Sequence, residues 1–386
     1  MGSMRAFIDQ ELGNVMANGH LPVRNIIVVG AGIAGLACAM TCARAGAQVD
    51  VLEAGAFAAR THAPFDVVPN LLRDLATIGV AHDFAHRGFA YSGFAVVDQN
   101  GAPRHEVSTP RLAGDRLPAA LGIAYDAALE ILATHAVGAG ARIRRGVNVT
   151  AVDAISGTAL IDGGQRMQAT LIVLATGARS HLVESTFGLA EQSGTQTWWH
   201  ALLPRPTGLE RATWMAGMPG RRLLLLPISM EQAGLAVLAT PPAGAELSAS
   251  ALAEVLGGWG EYSRQLAALL PPDGAASVHV AGGAVLPRAW YSGAVVCAGA
   301  AAHAVARPFG QSAAQAVEDA IVLGELVGAG LKRAAVLDGY MARRSERAHR
   351  VHELTERAVR WMTRPEAQTD LTALAQEIGD LVSAPA

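Results

Sequence analysis

The chain has 386 residues, 51% hydrophobic and 16% charged, with a formal net charge of −3. That composition excludes a disordered chain and supplies enough apolar surface for one large domain or two smaller ones. The near-neutral balance leaves no broad electrostatic footprint for nucleic acid, and 5% aromatic residues make no base-stacking platform. Lys332 is the sole lysine, so Schiff-base chemistry would rest on it alone. Cys38, Cys42 and Cys297 are too few for a disulfide scaffold and fit a reducing compartment. Cys38 and Cys42, four apart on one helix face, read as core packing. No apolar run reaches the roughly 18 residues of a membrane span, and the N-terminus MGSMRAFIDQELGN has no apolar signal core. A cytoplasmic protein with no membrane partner is expected, monomeric or homodimeric.

Residues 1–24 read as a leader or partial helix. Asn25 to Val29 (NIIVV) is a β-branched run typical of a buried parallel strand. A glycine turn, an Ala-rich helix to about Ala45 and a second strand, Gln48 to Leu52, complete a βαβ unit ended by Glu53. A helix is expected over 66–80 after Pro69, a strand over 93–98, a helix over 126–137 and extended chain over 141–153. TLIVL at 170–174 is another buried strand. From Thr195 to Val285, apolar segments separated by Pro, Gly and Arg predict an antiparallel sheet with a helix near 248–270. The buried-strand pattern returns at 294–298, a helix follows over 311–326, and an Arg-studded surface helix spans about 335–361. On it Arg343, Arg344, Arg347 and Arg350 read as a solvated or oligomer-facing row. His82/His86 and His349/His352 have metal-compatible spacings but no third ligand, so no metal is assigned.

Gly30-Ala31-Gly32-Ile33-Ala34-Gly35 fits G-x-G-x-x-G between a strand and a helix, and Glu53 stands 18 residues after the last glycine. Gly30 permits the tight turn, Gly32 lets backbone N–H groups approach a pyrophosphate, and Gly35 lets the helix pack on the strand. Glu53 is placed to accept hydrogen bonds from an adenosine ribose. In its βαβ context this is a dinucleotide-binding fingerprint, although it does not separate FAD from NAD.

Later segments carry a resemblance. Gly299-Ala300-Ala301-Ala302-His303, Arg307-Pro308-Phe309, Gly310-Gln311-Ser312 and Glu318-Asp319 resemble, in order and spacing, the C-terminal flavin motif of the class A flavoprotein monooxygenases, the para-hydroxybenzoate hydroxylase group. Val68-Pro69-Asn70 resembles that family's Pro-Asn helix, Thr176-Gly177 stands where the family has Asp-Gly, and Trp198-Trp199-His200 opens the substrate region much as family members do.

The resemblance implies an α/β fold: a Rossmann-like FAD-binding domain with an inserted antiparallel-sheet substrate domain and a C-terminal helix. Its expected segments are 25–88, 105–194 and 286–336 for the FAD domain, 89–104 and 195–285 for the substrate domain, and 337–386 for the helical end. It implies FAD held by Gly30, Ala31, Gly32, Ile33, Ala34, Gly35, Glu53, Val149, Gly299, Ala300, Gly310, Gln311, Ser312 and Ala313. The helix start at 310–313 would face the flavin ring, where its dipole stabilises negative charge. Pro308 would lie in the turn beside the ring, and Arg307 would pair with a substrate carboxylate. Of Arg221 and Arg222, strand alternation turns at most one to the pocket. His62, His200 and Tyr125 are candidates for the base that removes a phenolic proton.

The implied reaction is hydroxylation of a small aromatic substrate by O2, with NAD(P)H as transient reductant and a flavin C4a-hydroperoxide as oxygen donor. Four positions depart from the family pattern. Ala300 replaces an Asp that bonds the ribityl chain, a loss of roughly 1.5–3 kcal/mol. Thr176 replaces an Asp, Tyr125 replaces a basic residue, and His62-Ala63-Pro64 replaces Gly-Ala-Gly. Two further readings stay open: a flavin-fold enzyme with oxidase or isomerase-like chemistry, and a non-enzymatic binding protein whose FAD site has decayed.

Overall fold

The computed structural model describes residues 22–55, 63–188, 191–215, 221–239, 248–271, 276–285, 289–305, 310–363 and 369–386. Its centre is a six-stranded sheet in the order Tyr291–Ser292, Val295–Cys297, Leu171–Leu174, Asn25–Val29, Gln48–Glu53, Arg142–Arg145. All neighbours are parallel except the first pair. Strands covered on both faces need no polar alternation, which is why Ile26 to Val29 and Leu171 to Leu174 are buried without interruption. Asn25–Val29 has Gln48–Glu53 on one side and Leu171–Leu174 on the other. The chain leaves it at the sheet's switch point, where doubly wound folds open a crevice for ligands.

The fingerprint helix, Ile33–Arg44, is buried nearly all round because the helix Gln311–Gly328 packs on its outer side. Thr41 donates its hydroxyl to the Ala320 carbonyl (2.7 Å) across that contact. Cys38, Cys42 and Cys297 are buried and unbridged, and burial pushes the Cys42 thiol up to about 12, so these are core residues with inert thiols.

Among the described residues the second large sheet has eight strands: His303–Ala304, Ala276–Val285, Glu191–Pro204, Gln232–Leu238, Arg222–Pro227, Ala212–Met215, Phe94–Val97 and Pro103–Val107. It is antiparallel as expected except where Ala212–Met215 pairs parallel with Phe94–Val97, the strand contributed by the earlier segment. Alternation sorts its residues. Trp199, Ala201 and Leu203 pack under the helices Ala249–Gly257 and Glu261–Leu269. Trp198 and Leu202 face the other way, toward Tyr91, Ala120 and Leu226. The expected single helix over 248–270 is two, split at Gly257-Gly258-Trp259-Gly260.

A small sheet of Pro64–Val67, Ala120–Ala124 and Phe89–Tyr91 lies against that second, inner face. A Cβ on Gly234 would sit 2.3 Å from Pro64 Cβ, and one on Gly122 2.2 Å from the Pro227 oxygen, so both glycines are needed for the layers to meet. The helix Arg333–Thr363 closes the molecule, followed by Leu371–Ser383. It is not the surface helix its arginines suggest. Tyr340, Arg344, Ala348, Val351 and Leu354 form a buried stripe, and only part of the Arg row faces solvent. Among the described residues no helix is long and apolar enough to cross a membrane.

Candidate active site

The glycine turn sits at the switch point with its parts fixed from both sides. Gly30 donates its N–H to the Leu52 carbonyl (2.8 Å), and Ala175 donates to Val29 (2.9 Å). Gly30 has φ +103, and a Cβ there would lie 2.5 Å from the Ala175 oxygen. A Cβ on Gly35 would lie 1.9 Å from the Gly30 oxygen. Gly32 differs: its nearest neighbour to a built Cβ is the Tyr125 hydroxyl at 3.9 Å. The fold therefore needs the first and third glycines for its own packing, while the second borders open space. Glu53 Oε2 accepts from the Ala31 N–H (2.7 Å) and Oε1 from Gly55 (2.7 Å), so the turn itself holds the carboxylate at the strand end. A carboxylate has about four acceptor positions, which leaves two for ribose hydroxyls.

The late motif reaches the same place. Gly299 opens a short 3-10 turn after Val295–Cys297, and a Cβ on it would lie 2.6 Å from Ala34 Cβ and 3.2 Å from Ala316 Cβ. It lets the fingerprint helix and the Gln311–Gly328 helix close together. Ala300, beside it, keeps accessible surface. Gly310, left-handed at φ +65, starts the latter helix and fits against Val68, whose Cγ1 would lie 2.7 Å from a Cβ there. Asn70 and Gln311, both buried, exchange amide hydrogen bonds. No side chain caps this helix start, and Ser312 and Ala313 remain half-buried there. The first-turn N–H groups of a helix without a side-chain cap are natural donors to an acceptor outside the helix.

Behind the late motif is a buried ionic network that the sequence reading does not anticipate. Asp319 Oδ2 accepts from the Gly299 N–H (2.8 Å) and bonds His303 Nε2 (2.6 Å), while Oδ1 accepts from Arg344 Nε (2.8 Å). Arg344 also donates to Glu318 (2.7 Å), which Arg347 shares (2.9 Å). Burial pushes the Asp319 carboxyl up, but His303 and Arg344 outweigh it and hold the group at about 2. His303 therefore supports the Gly299 turn through Asp319.

His200 lies on the inner face of the large sheet, buried beside Trp198 and opposite Ala236. Arg222 is on that face too, its guanidinium donating to the carbonyl oxygens of Arg221 and Met362. Arg221 is on the far side, over the Trp259 ring. Tyr125 stands above the glycine turn and edge-on to Phe65 (5.7 Å between ring centroids). Val149 is buried at the start of its strand, two residues after Val147, which donates to the Glu53 carbonyl. His62, Arg307 and Pro308 lie outside the described residues.

The residues present fit FAD. Open space borders Gly32, the Thr176 hydroxyl beside the turn is buried with no hydrogen-bond partner among the described residues, and the helix start after Gly310 has no side-chain cap. These are the features a pyrophosphate and an electron-accepting ring would satisfy. Asp66 and Tyr91, joined between the two sheets, have no place in the sequence reading. The available signal was an acid inside the otherwise apolar PFDVV strand.

Comparison with known proteins agrees with this geometry. Residues 24–355 match the family described as FAD binding domain. The chain belongs to this family of class A flavin monooxygenases and is a flavoprotein monooxygenase by kinship. It is 29% identical over 352 residues to YetM of Bacillus subtilis (strain 168), named as an FAD-dependent monooxygenase, covering 88% of this chain and 94% of that one. It is 27% identical over 346 residues to aurachin C monooxygenase/isomerase of Stigmatella aurantiaca, covering 84% and 86%. The solved structure of Klebsiella pneumoniae HpxO complexed with FAD and uric acid superposes with a TM-score of 0.80 at 22% identity, covering 94% of this chain and 97% of that one. This last likeness speaks to the fold.

Proposed function

We propose that this protein hydroxylates a small aromatic or heteroaromatic molecule, with O2 as oxidant and NAD(P)H as reductant. The observation that carries the proposal is the meeting of the two glycine motifs at Gly299, against Ala34 and Ala316, in a chain whose second sheet has an apolar inner face bearing Trp198 and His200. FAD, when bound, supplies the activation of O2 and the oxygen delivered to the ring.

The chain's own residues hold and orient. Gly32 and the backbone around it take the pyrophosphate, Glu53 the ribose, and the N–H groups after Gly310 the ring edge where negative charge accumulates on reduction. The Tyr125 hydroxyl, over Gly32, suits a phosphate contact better than a proton transfer to substrate. Trp198, Leu224 and Leu226 exclude water from the space between the sheets. His200 reaches that face as a hydrogen-bonding group for the ring substituents.

The test is the visible spectrum of the purified protein with added FAD, then NAD(P)H oxidation against hydroxybenzoates and hydroxypyridines, with product mass. A flavin spectrum, oxidation stimulated by an aromatic, and a product heavier by one oxygen atom are expected. A protein that takes up no FAD would end the proposal. A second reading, isomerising or oxidase chemistry on the same fold, is favoured by Thr176 and Ala300; a product of unchanged mass would select isomerisation, and a product lighter by two hydrogens with release of hydrogen peroxide would select an oxidase.

A further inference from the structure

We propose that Asp66, steadied by Tyr91, takes the proton from the aromatic substrate, and that this substrate is an uncharged ring carrying an O–H or N–H donor. This assignment rests on the hydroxylation reading above and adds to it a residue and a chemical class.

Asp66 lies inside the strand Pro64–Val67. Pro64 touches Gly234 on the inner face of the large sheet, and alternation puts Asp66 on the same side. Tyr91, on the opposite edge strand of the small sheet, donates its hydroxyl across the central strand to Asp66 Oδ1. Oδ2 accepts no hydrogen bond among the described residues, and the side chain keeps accessible surface although enclosed between two layers. The main-chain oxygen of Asp66 would lie 3.7 Å from a Cβ on Gly310, so this acid stands beside the helix start assigned to the flavin ring.

A carboxyl kept only for structure at such depth pairs with a cation, as Asp319 does with Arg344. Asp66 has no such partner among the described residues, and the buried cluster on the inner face that includes Tyr91 is apolar. Burial raises its carboxyl to about 6 against the lowering effect of the Tyr91 hydrogen bond. The Tyr91 phenol is itself raised well above its ordinary value by burial and by Asp66, so it stays a donor. Among the described side chains, the other ionisable groups on elements packed against this strand are Tyr125, Asp126, Glu130 and His135 on the helix Tyr125–Gly138, and His200 on the large sheet, with Arg222 further along the same face.

In the step, the O–H or N–H bond of the substrate breaks and its electron pair stays on the ring heteroatom. The proton passes to Oδ2, while Tyr91 keeps its own proton and keeps Oδ1 occupied. The ring gains electron density before oxygen arrives, and no redox change is involved. A carboxylate-bearing substrate would bring a second negative charge beside Asp66 and bind poorly.

The experiment uses the FAD-loaded full chain, Asp66→Asn and Tyr91→Phe, with phenol, 3-hydroxypyridine and benzoate as probes. Binding is read from perturbation of the flavin absorption, and turnover from stimulated NAD(P)H oxidation across pH 5 to 9. All three proteins should take up FAD with the same spectrum. The wild type should bind phenol and 3-hydroxypyridine about tenfold more tightly than benzoate. Asp66→Asn should lose that preference, slow turnover by about a hundredfold and abolish the acid limb near pH 6. Tyr91→Phe should keep the limb but move it to higher pH. Benzoate binding as tightly as phenol, or an unchanged pH profile in Asp66→Asn, would overturn the assignment and leave the hydroxylation reading standing. A wild type that takes up no FAD would remove both.

Discussion

Asn70 and Gln311, 241 residues apart in the chain, face each other with their amides paired in both directions, at 3.0 and 3.1 Å. The pair ties the Pro-Asn helix, Pro69–Thr77, to the helix start proposed above to hold the flavin ring. Asn70→Leu leaves a buried amide short of a partner, a loss of about 1–3 kcal/mol. We expect a lower urea midpoint and several-fold weaker FAD uptake. Adding Gln311→Met should recover part of the stability but not the affinity, and a double-mutant cycle of urea unfolding measures the coupling.

The three fingerprint glycines should separate by what fails. Gly30→Ala and Gly35→Ala collide with backbone oxygens and should unfold at markedly lower temperature even without cofactor. Gly32→Ala meets nothing closer than 3.9 Å, so the apoprotein should melt near the wild-type temperature. The added methyl then occupies the pyrophosphate approach, and FAD titration should show lost binding. Equal melting losses in all three variants would contradict this division.

Ala300→Asp restores a carboxylate where the chain has a half-buried methyl. A charge-assisted hydrogen bond to a ribityl hydroxyl contributes about 1.5–3 kcal/mol, or roughly ten- to a hundredfold in affinity. Equilibrium dialysis of FAD against the variant and the wild type checks it. Weaker binding would mean that the ribityl chain runs elsewhere.

Arg344→Met strips the buried Glu318 and Asp319 of their shared cation. The loss should be about 3–5 kcal/mol in denaturant unfolding. The pH dependence has a definite sign. Asp319 is held at about 2, below the ordinary carboxyl value of about 3.9, so its contribution is present above pH 4 and fades as pH falls toward 2. Without Arg344 burial acts with less opposition, and the acid-unfolding midpoint should move to higher pH.

Asp66→Asn should stabilise the protein under neutral conditions. A carboxyl raised to about 6 binds its proton more tightly folded than unfolded, so wild-type stability declines as pH rises from about 4 to 6 and stays reduced above. Asparagine carries no such penalty. The gain in melting temperature should be near zero at pH 4 and full at pH 8, and thermal scans at both values test it.

How much was legible follows from range. The turn at Gly30–Gly35, the helix after it and Glu53 are local, and local chemistry fixes them: a β-branched strand, a tight turn, small residues on a helix. The late motif was readable through its order of small residues and Gly-Gln. The Asp66–Tyr91 bond depends on strand register between segments 25 residues apart, which no spacing encodes. The burial of Arg344 depends on helix phase. Tyr340, Ala348, Val351 and Leu354 mark the inward stripe, but four arginines nearby mask it in any composition-based reading. The split at Gly257–Gly260 was visible as glycines and was overridden by the apolar residues around them.

Ala34 and Ala316 meeting across Gly299 act as a spacer with one setting. The breadth of the cleft on that side is decided while the chain folds, before any guest arrives, so little ordering is left to oppose entry. Under the function proposed above, a bulkier ring would have to find its room by trimming Trp198, Leu224 or Leu226, because the helices cannot be prised further apart without losing the hinge-less grip that Gly299 gives them.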